Sequence, residues 1–267
     1  MMRPDHPGAR EPVLESVDGP RDRRNLAMRG AVGFAVVQVV MLLNAICCAL
    51  AHLVTLFHAR RFCINVIAPR TSRLVMWLLG IKVHFHGFED LPSPCIVTAN
   101  HTSTLDLFIL SMLPIPNKRS FMARWTRIFP PLAVIGWSTG TIFTPPQPYP
   151  EARIRCFQRA ERILRETGDS CYLSPEGIRW TTPKVGPFNK GTFHLAAALD
   201  WPIVPLYIDI PRNINPGVGF KTRPGVVHVY ARPPIATTDW RGEDAVIHKE
   251  EVRALYLAYP AGWGVVS

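Results

Sequence analysis

The six cysteines of this 267-residue chain form no C-x-x-C pair, and no histidine cluster accompanies them. That pattern offers neither a zinc site nor a disulfide framework. Cys47, Cys48, Cys63, Cys95, Cys156 and Cys171 read instead as small apolar residues kept reduced. There is no G-x-S-x-G elbow and no cysteine beside a histidine, so the familiar activated nucleophiles are missing. No internal repeat is visible, and no standard nucleic-acid-binding motif appears, which sets nucleic acid aside as a partner. His84-Phe85-His86 is a close histidine pair, but it lacks a third ligand and reads as the polar face of a strand. No metal is assigned.

Charge is also missing from Ala31 to Phe57. A helix over these residues, at about 1.5 Å per residue, is about 40 Å long and can cross a bilayer with tilt. The run is too long and starts too late for a cleaved signal peptide. Residues 1–30, rich in Pro, Arg, Gly and Asp and without periodicity, read as a disordered tail. Arginines flank the span on both sides, so charge asymmetry gives no orientation. Asn44 and His52 are polar inclusions suited to facing a second helix. Leu74–Leu79 reads as a short helix along the membrane or against the span, ended by Gly80. Residues 31–80 are thus expected to be a membrane-anchoring helical segment, integral through 31–57. The compartment would be the inner membrane in a bacterium or the endoplasmic reticulum in a eukaryote.

What the chain has in excess is positive charge, +10 overall. Most of it lies in 118–165, where nine Lys and Arg stand against Glu151 and Glu161. Such a stretch favours phosphate groups or a bilayer with acidic headgroups.

From residue 81 short strands alternate with helices. Ile81–Phe85, Cys95–Ala99, Ser120–Ala123, Thr141–Phe143, Tyr172–Leu173, Ile203–Ile210 and Val226–Ala231 read as strands. Thr104–Leu113, Glu151–Glu166, Gly191–Leu199 and Glu243–Ala258 read as helices. The fold class is therefore α/β, a largely parallel sheet flanked by helices, with residues 81–267 as one domain.

His101 follows a strand and precedes a helix, at the carboxyl end where open α/β sheets place their sites. A neutral imidazole can take a proton from a hydroxyl. Asp106, five residues on, is near enough to hold the ring and stabilise its charged form. Four ordered segments accompany the pair. They are Asn100-His101 with Asp106, Gly140-Thr141-Ile142-Phe143, Pro175-Glu176-Gly177-Ile178-Arg179, and Trp201-Pro202-Ile203-Val204-Pro205-Leu206. Together with Phe188-Asn189-Lys190-Gly191-Thr192-Phe193 they resemble the motifs of the lysophosphatidic acid (1-acylglycerol-3-phosphate) acyltransferases and their glycerolipid relatives, over about residues 60–235.

The resemblance implies acyl transfer from a thioester, acyl-CoA or acyl carrier protein, to the hydroxyl of a lysolipid. It implies His101 as general base with Asp106 as its partner, direct attack without an acyl-enzyme, and no metal or other cofactor. Glu176, Gly177 and Arg179 resemble the acceptor-binding motif, and Arg179 suits a bidentate grip on phosphate. Lys190 and Arg124 are further candidate phosphate contacts. Two departures bear on the acceptor. Where the family's second motif continues to an arginine, this chain has Thr144-Pro145-Pro146-Gln147. Ile178 and Trp180 occupy positions where a hydroxyl residue and a small polar residue are common. A non-phosphate lysolipid, such as a lyso amino-acid lipid, is the alternative acceptor. A non-catalytic membrane lipid-binding protein is the alternative of another class.

Overall fold

The computed structural model describes residues 20–180 and 185–259. Helix α1 spans Pro20–Val54 and begins well before the apolar run. Residues 20–30 are therefore helix and not tail, while residues 1–19 lie outside the described residues. Proline is tolerated at a helix start because its fixed φ suits the first turn and its missing N–H is not needed there. Leu, Ala, Met and Arg then carry the helix forward with good propensity.

One face of α1 is buried along most of its length. Gly30, Gly33, Val37, Val40, Met41, Asn44, Ala45, Cys48 and His52 recur at helical spacing and all lie inward. The opposite face, including Val39, Leu42, Leu43, Ile46 and Leu50, is apolar and exposed. This helix is long and apolar enough to cross a membrane. His52 Nε2 pairs with the Ser138 carbonyl at 3.2 Å, so this polar inclusion does face a second helix. Asn44 Oδ1 accepts the Cys48 thiol at 3.2 Å within α1.

A single turn α2, Arg60–Phe62, and a π-helical turn, Cys63–Ile67, lead into α3, Ala68–Leu78. It stops at Gly80, whose φ of +73° few other residues adopt. Val75 and Met76 pack inward while Leu74, Trp77 and Leu78 stay exposed.

Seven strands are described: β1 Ile81–His86, β2 Ile96–Ala99, β3 Arg119–Ala123, β4 Ile142–Thr144, β5 Cys171–Leu173, β6 Ile203–Asp209 and β7 Gly225–Ala231. They form one sheet in the order β1-β7-β6-β2-β5-β3-β4. Every neighbouring pair is parallel except β6 with β7. The central strands β2 and β5 are buried throughout, as continuous apolar runs with both faces covered should be. One core cluster joins α1 and α3 to one face, through Val37, Val75, Ile109, Leu206 and Val229. A second joins the other face to α6 (Pro150–Thr167), α7 (Gly191–Leu199) and α8 (Ala245–Leu257), through Leu164, Phe193 and Tyr256. Helices α4 (Asp106–Ser111) and α5 (Pro130–Thr139) complete the wrapping.

The segment after α1 and the sheet are tied by one fully buried carboxylate. Asp169, between α6 and β5, meets Arg60 Nη1 of α2 at 2.7 Å and Arg119 Nε of β3 at 2.8 Å. Arg119 also donates to the Gly140 carbonyl at 3.1 Å. Asp169→Asn removes the counter-charge from both arginines and should cost about 3–5 kcal/mol, read as a lower unfolding midpoint in detergent. An unchanged midpoint would show that the two arginines find other partners at no cost.

Candidate functional site

Strands β2, β3, β4, β5 and β6 run parallel, so their carboxyl ends meet at one edge of the sheet. At the end of β2 the Asn100 amide reaches across to β6. Its Nδ2 donates to the Ile208 carbonyl at 3.0 Å, and its Oδ1 accepts the Ile208 N–H at 2.7 Å. This bridge continues the β2–β6 pairing one residue past the strand and fixes where the next residue, His101, leaves the sheet.

The Asp106 side chain opens α4 and is buried. Its Oδ2 accepts the backbone N–H of Thr102 at 2.9 Å and of Ser103 at 3.0 Å, and lies 2.8 Å from His101 Nδ1. An oxygen already accepting two amides accepts from the ring as well, so Nδ1 carries the proton and Nε2 keeps its lone pair. The His101 side chain is 36% exposed against 1% for Asp106. Such a ring can take a proton from an incoming hydroxyl while a buried carboxylate orients it and stabilises its charged form.

The turn after β5 holds the same histidine from the other side. Glu176 Oε1 accepts the His101 N–H at 2.9 Å, and the Trp180 N–H donates to the His101 carbonyl at 2.8 Å. Glu176 Oε2 accepts the Gly186 N–H at 2.8 Å, and Arg253 Nε of α8 donates to the Gly186 carbonyl at 2.8 Å. Both Glu176 oxygens therefore bond to backbone. The resemblance implies an acceptor contact for Glu176, but the side chain is buried and holds the His101 loop in place. Burial raises its carboxyl above the ordinary range, with the Gly186 and His101 amides pulling the other way.

Gly177 sits at φ +70°, and a Cβ there would come within 2.6 Å of Asn189 Nδ2. The close approach is thus to Asn189, which donates to the carbonyls of Pro175 at 3.0 Å and Glu176 at 2.9 Å. Asn189, and not its charged neighbour Lys190, braces this turn, a role that nothing in the local sequence signals. Lys190 is exposed at the start of α7. Arg179 is exposed and its Nη1 donates to Thr104 Oγ1 at 2.7 Å, bringing a guanidinium to the loop that carries His101. Gly219 N–H donates to the same hydroxyl at 3.0 Å.

Arg124 is exposed just past β3, two strands from β2, or roughly 10 Å along the edge. The loop after β4 leans back toward the site: Gln147 Nε2 lies 3.3 Å from the Cβ position of Gly177. Arg153 Nη1 donates to the Pro145 carbonyl at 3.0 Å, so an arginine from α6 reaches the stretch that lacks one. A cavity of about 240 Å³ lies between the His101 loop and the end of β6, bordered by Thr102, Ser103, Tyr207 and Asn215.

An acyltransferase family model, described as Acyltransferase, matches residues 82–209. The chain is 28% identical over 193 residues to the 1-acyl-sn-glycerol-3-phosphate acyltransferase of Cocos nucifera, covering 72% of this chain and 62% of that one. It is 30% identical over 176 residues to the enzyme of that name from Limnanthes douglasii, covering 66% and 62%. The chain thus spans less than two thirds of the length of these two relatives. Its fold matches the crystal structure of the 1-acyl-sn-glycerophosphate (LPA) acyltransferase of Thermotoga maritima with a TM-score of 0.70, at 18% identity, covering 89% of this chain and 98% of that one.

Glu176→Gln keeps one acceptor oxygen and sets an amide donor against the other N–H. Stability should fall by about 1–3 kcal/mol, and hydrogen exchange at the His101 and Gly186 amides should quicken. Unaltered protection of both amides would show that Glu176 does not hold the loop.

Proposed function

We propose that this chain, a member of the glycerolipid acyltransferase family that includes the lysophosphatidic acid acyltransferases, moves a fatty acyl group from a thioester to the free hydroxyl of a lysophospholipid. The donor is acyl-CoA or acyl carrier protein. The acceptor is 1-acylglycerol-3-phosphate, and the product is phosphatidic acid. The observation that carries this reading is the His101–Asp106 pair, with Nδ1 held at 2.8 Å and the ring part-exposed. His101 Nε2 takes the proton of the acceptor hydroxyl as its oxygen attacks the thioester carbonyl. The tetrahedral intermediate then collapses, the C–S bond breaks, and the proton passes from His101 to the departing sulfur. Asp106 stabilises the imidazolium that exists between the two transfers. The apolar helix α1 holds the enzyme in the membrane, in the inner membrane of a bacterium or the endoplasmic reticulum of a eukaryote.

Arg179, Lys190 and Arg124 are assigned to the acceptor phosphate, and Arg153 joins them through its hold on the Pro145 loop. The second reading, a lysolipid without a glycerol phosphate, is favoured by the Thr144-Pro145-Pro146-Gln147 sequence where the family carries an arginine.

His101→Ala should lower kcat by roughly 10²–10⁴-fold with the fold intact by circular dichroism, since a positioned general base contributes on that scale. Wild-type turnover in that variant would end the mechanism. Arg179→Ala separates the two acceptors. Losing a charge-assisted bond to phosphate costs about 1.5–3 kcal/mol, or roughly 10–100-fold in the KM for lysophosphatidic acid. The KM for the acyl donor should stay near the wild-type value. Equal, small effects on lysophosphatidic acid and on a neutral lysolipid would remove Arg179 from the acceptor site and favour the second reading.

A further inference from the structure

Beyond α1, one group of exposed apolar side chains lies on the stretch after β3, and none of them is assigned to the chemistry. A 3₁₀ turn, Arg124–Ile128, follows β3 and runs into α5. It displays Trp125 at 61% exposure and Ile128 at 72%, with Phe129 beside them. The display is built in. Thr126 Oγ1 donates to the Ala123 carbonyl at 2.7 Å, the Phe129 N–H donates to the Thr126 carbonyl at 3.2 Å, and the Trp125 and Phe129 rings meet edge-on at 6.1 Å. These contacts hold the turn without covering its outer face.

The patch is continuous with the anchor. Helix α5 packs on α1, and its exposed Trp137 meets the His52 ring at 4.8 Å and the Phe57 ring at 6.1 Å. Val54, at the end of α1, and Phe57, in the turn just past it, are themselves exposed. Helix α5 thus carries Trp137 against the end of α1 at one end and starts from Phe129, beside Trp125, at the other. Arginines stand at its border: Arg124 is exposed, and Arg127 lies 5.5 Å over the Phe143 ring. Tryptophan with arginine is the pairing that suits the headgroup level of a bilayer, with rings at the boundary and guanidinium groups on lipid phosphate.

We infer that Trp125, Ile128 and Phe129, with Trp137, form a second membrane contact, separate from α1, that seats the β3–β4 side of the sheet in the headgroup layer. The occupant is lipid, because the surface continues one that already faces the membrane and is edged by cations. Arg124 opens the turn at the carboxyl end of β3, so this contact turns the strand edge that carries His101 toward the surface from which a lipid would enter. The inference rests on α1 lying in the membrane and not on the assigned chemistry.

The test uses the full chain in phosphatidylcholine vesicles containing phosphatidylglycerol, with bromine placed on the lipid chains either near the headgroup or near the chain end. The difference in emission between the wild type and Trp125→Phe reports Trp125 alone. We expect that emission to be blue-shifted, quenched more by the shallow bromine than by the deep one, and shielded from acrylamide. Arg124→Glu with Arg127→Glu should reduce the quenching. Leu43→Trp in the Trp125→Phe protein reports the exposed face of α1 separately. Quenching at position 43 with none at Trp125 overturns the inference and leaves the anchor standing. Quenching at neither position overturns both. Shielding of Trp125 from acrylamide without bromine quenching overturns it in favour of a protein partner.

Discussion

Asp106 Oδ2 accepts from His101 Nδ1 and from the backbone amides of Thr102 and Ser103, and the geometry of the site follows from that convergence. A buried carboxylate is costly unless donors meet it, and here three donors converge on Oδ2 while Oδ1 is buried without a partner. The same bonds fold residues 101–103 around the carboxylate, so the loop cannot shift without stranding a charge. Glu176 does for the other side of the loop what Asp106 does for the ring. Two acidic residues distant in sequence thus fix one imidazole, one through its side chain and one through its backbone.

These bonds are possible because the sheet puts the ends of β2 and β5 side by side. The third strand of that group, β3, is carried against β5 and held by Arg119 on Asp169. Arg60 of α2, just past α1, joins the same carboxylate, so the segment that follows the apolar helix and strand β3 share one buried ion cluster. The apolar helix is thus fixed relative to the site by packing and by this ion cluster, and is not a flexible tether. The docked face of α1 adds to this, since Val37, Met41 and Val40 belong to the same core cluster as Leu206 and Val229.

The strands and the His101–Asp106 pair were legible because each depends on local pattern: apolar runs between turn residues, and two side chains five positions apart. The role of Glu176 was not, because its partners His101 and Gly186 are fixed by topology and not by spacing. Asn189 was hidden by the charge of Lys190 beside it. Helix α5 escaped notice for a different reason. Pro130 and Pro131 look like a loop, and the apolar residues that follow show no stripe at helical period, since one side packs on α1 and the other is equally apolar. The start of α1 was misplaced because arginines and aspartate near residues 20–30 suggest a solvated tail, although most of these residues are sound helix formers. Asn44 and His52 point to a helical neighbour for this helix, but only the buried stripe from Gly30 to His52 shows that it is docked along the domain.

The account stands on the tautomer of His101. Nitrogen chemical shifts of that ring, recorded on selectively labelled protein in detergent above the pH at which it is protonated, report which nitrogen carries the hydrogen. The prediction is a protonated Nδ1 and a bare Nε2, with that preference lost in Asp106→Ala. A neutral ring protonated at Nε2 would leave no base for the acceptor hydroxyl and would contradict the account.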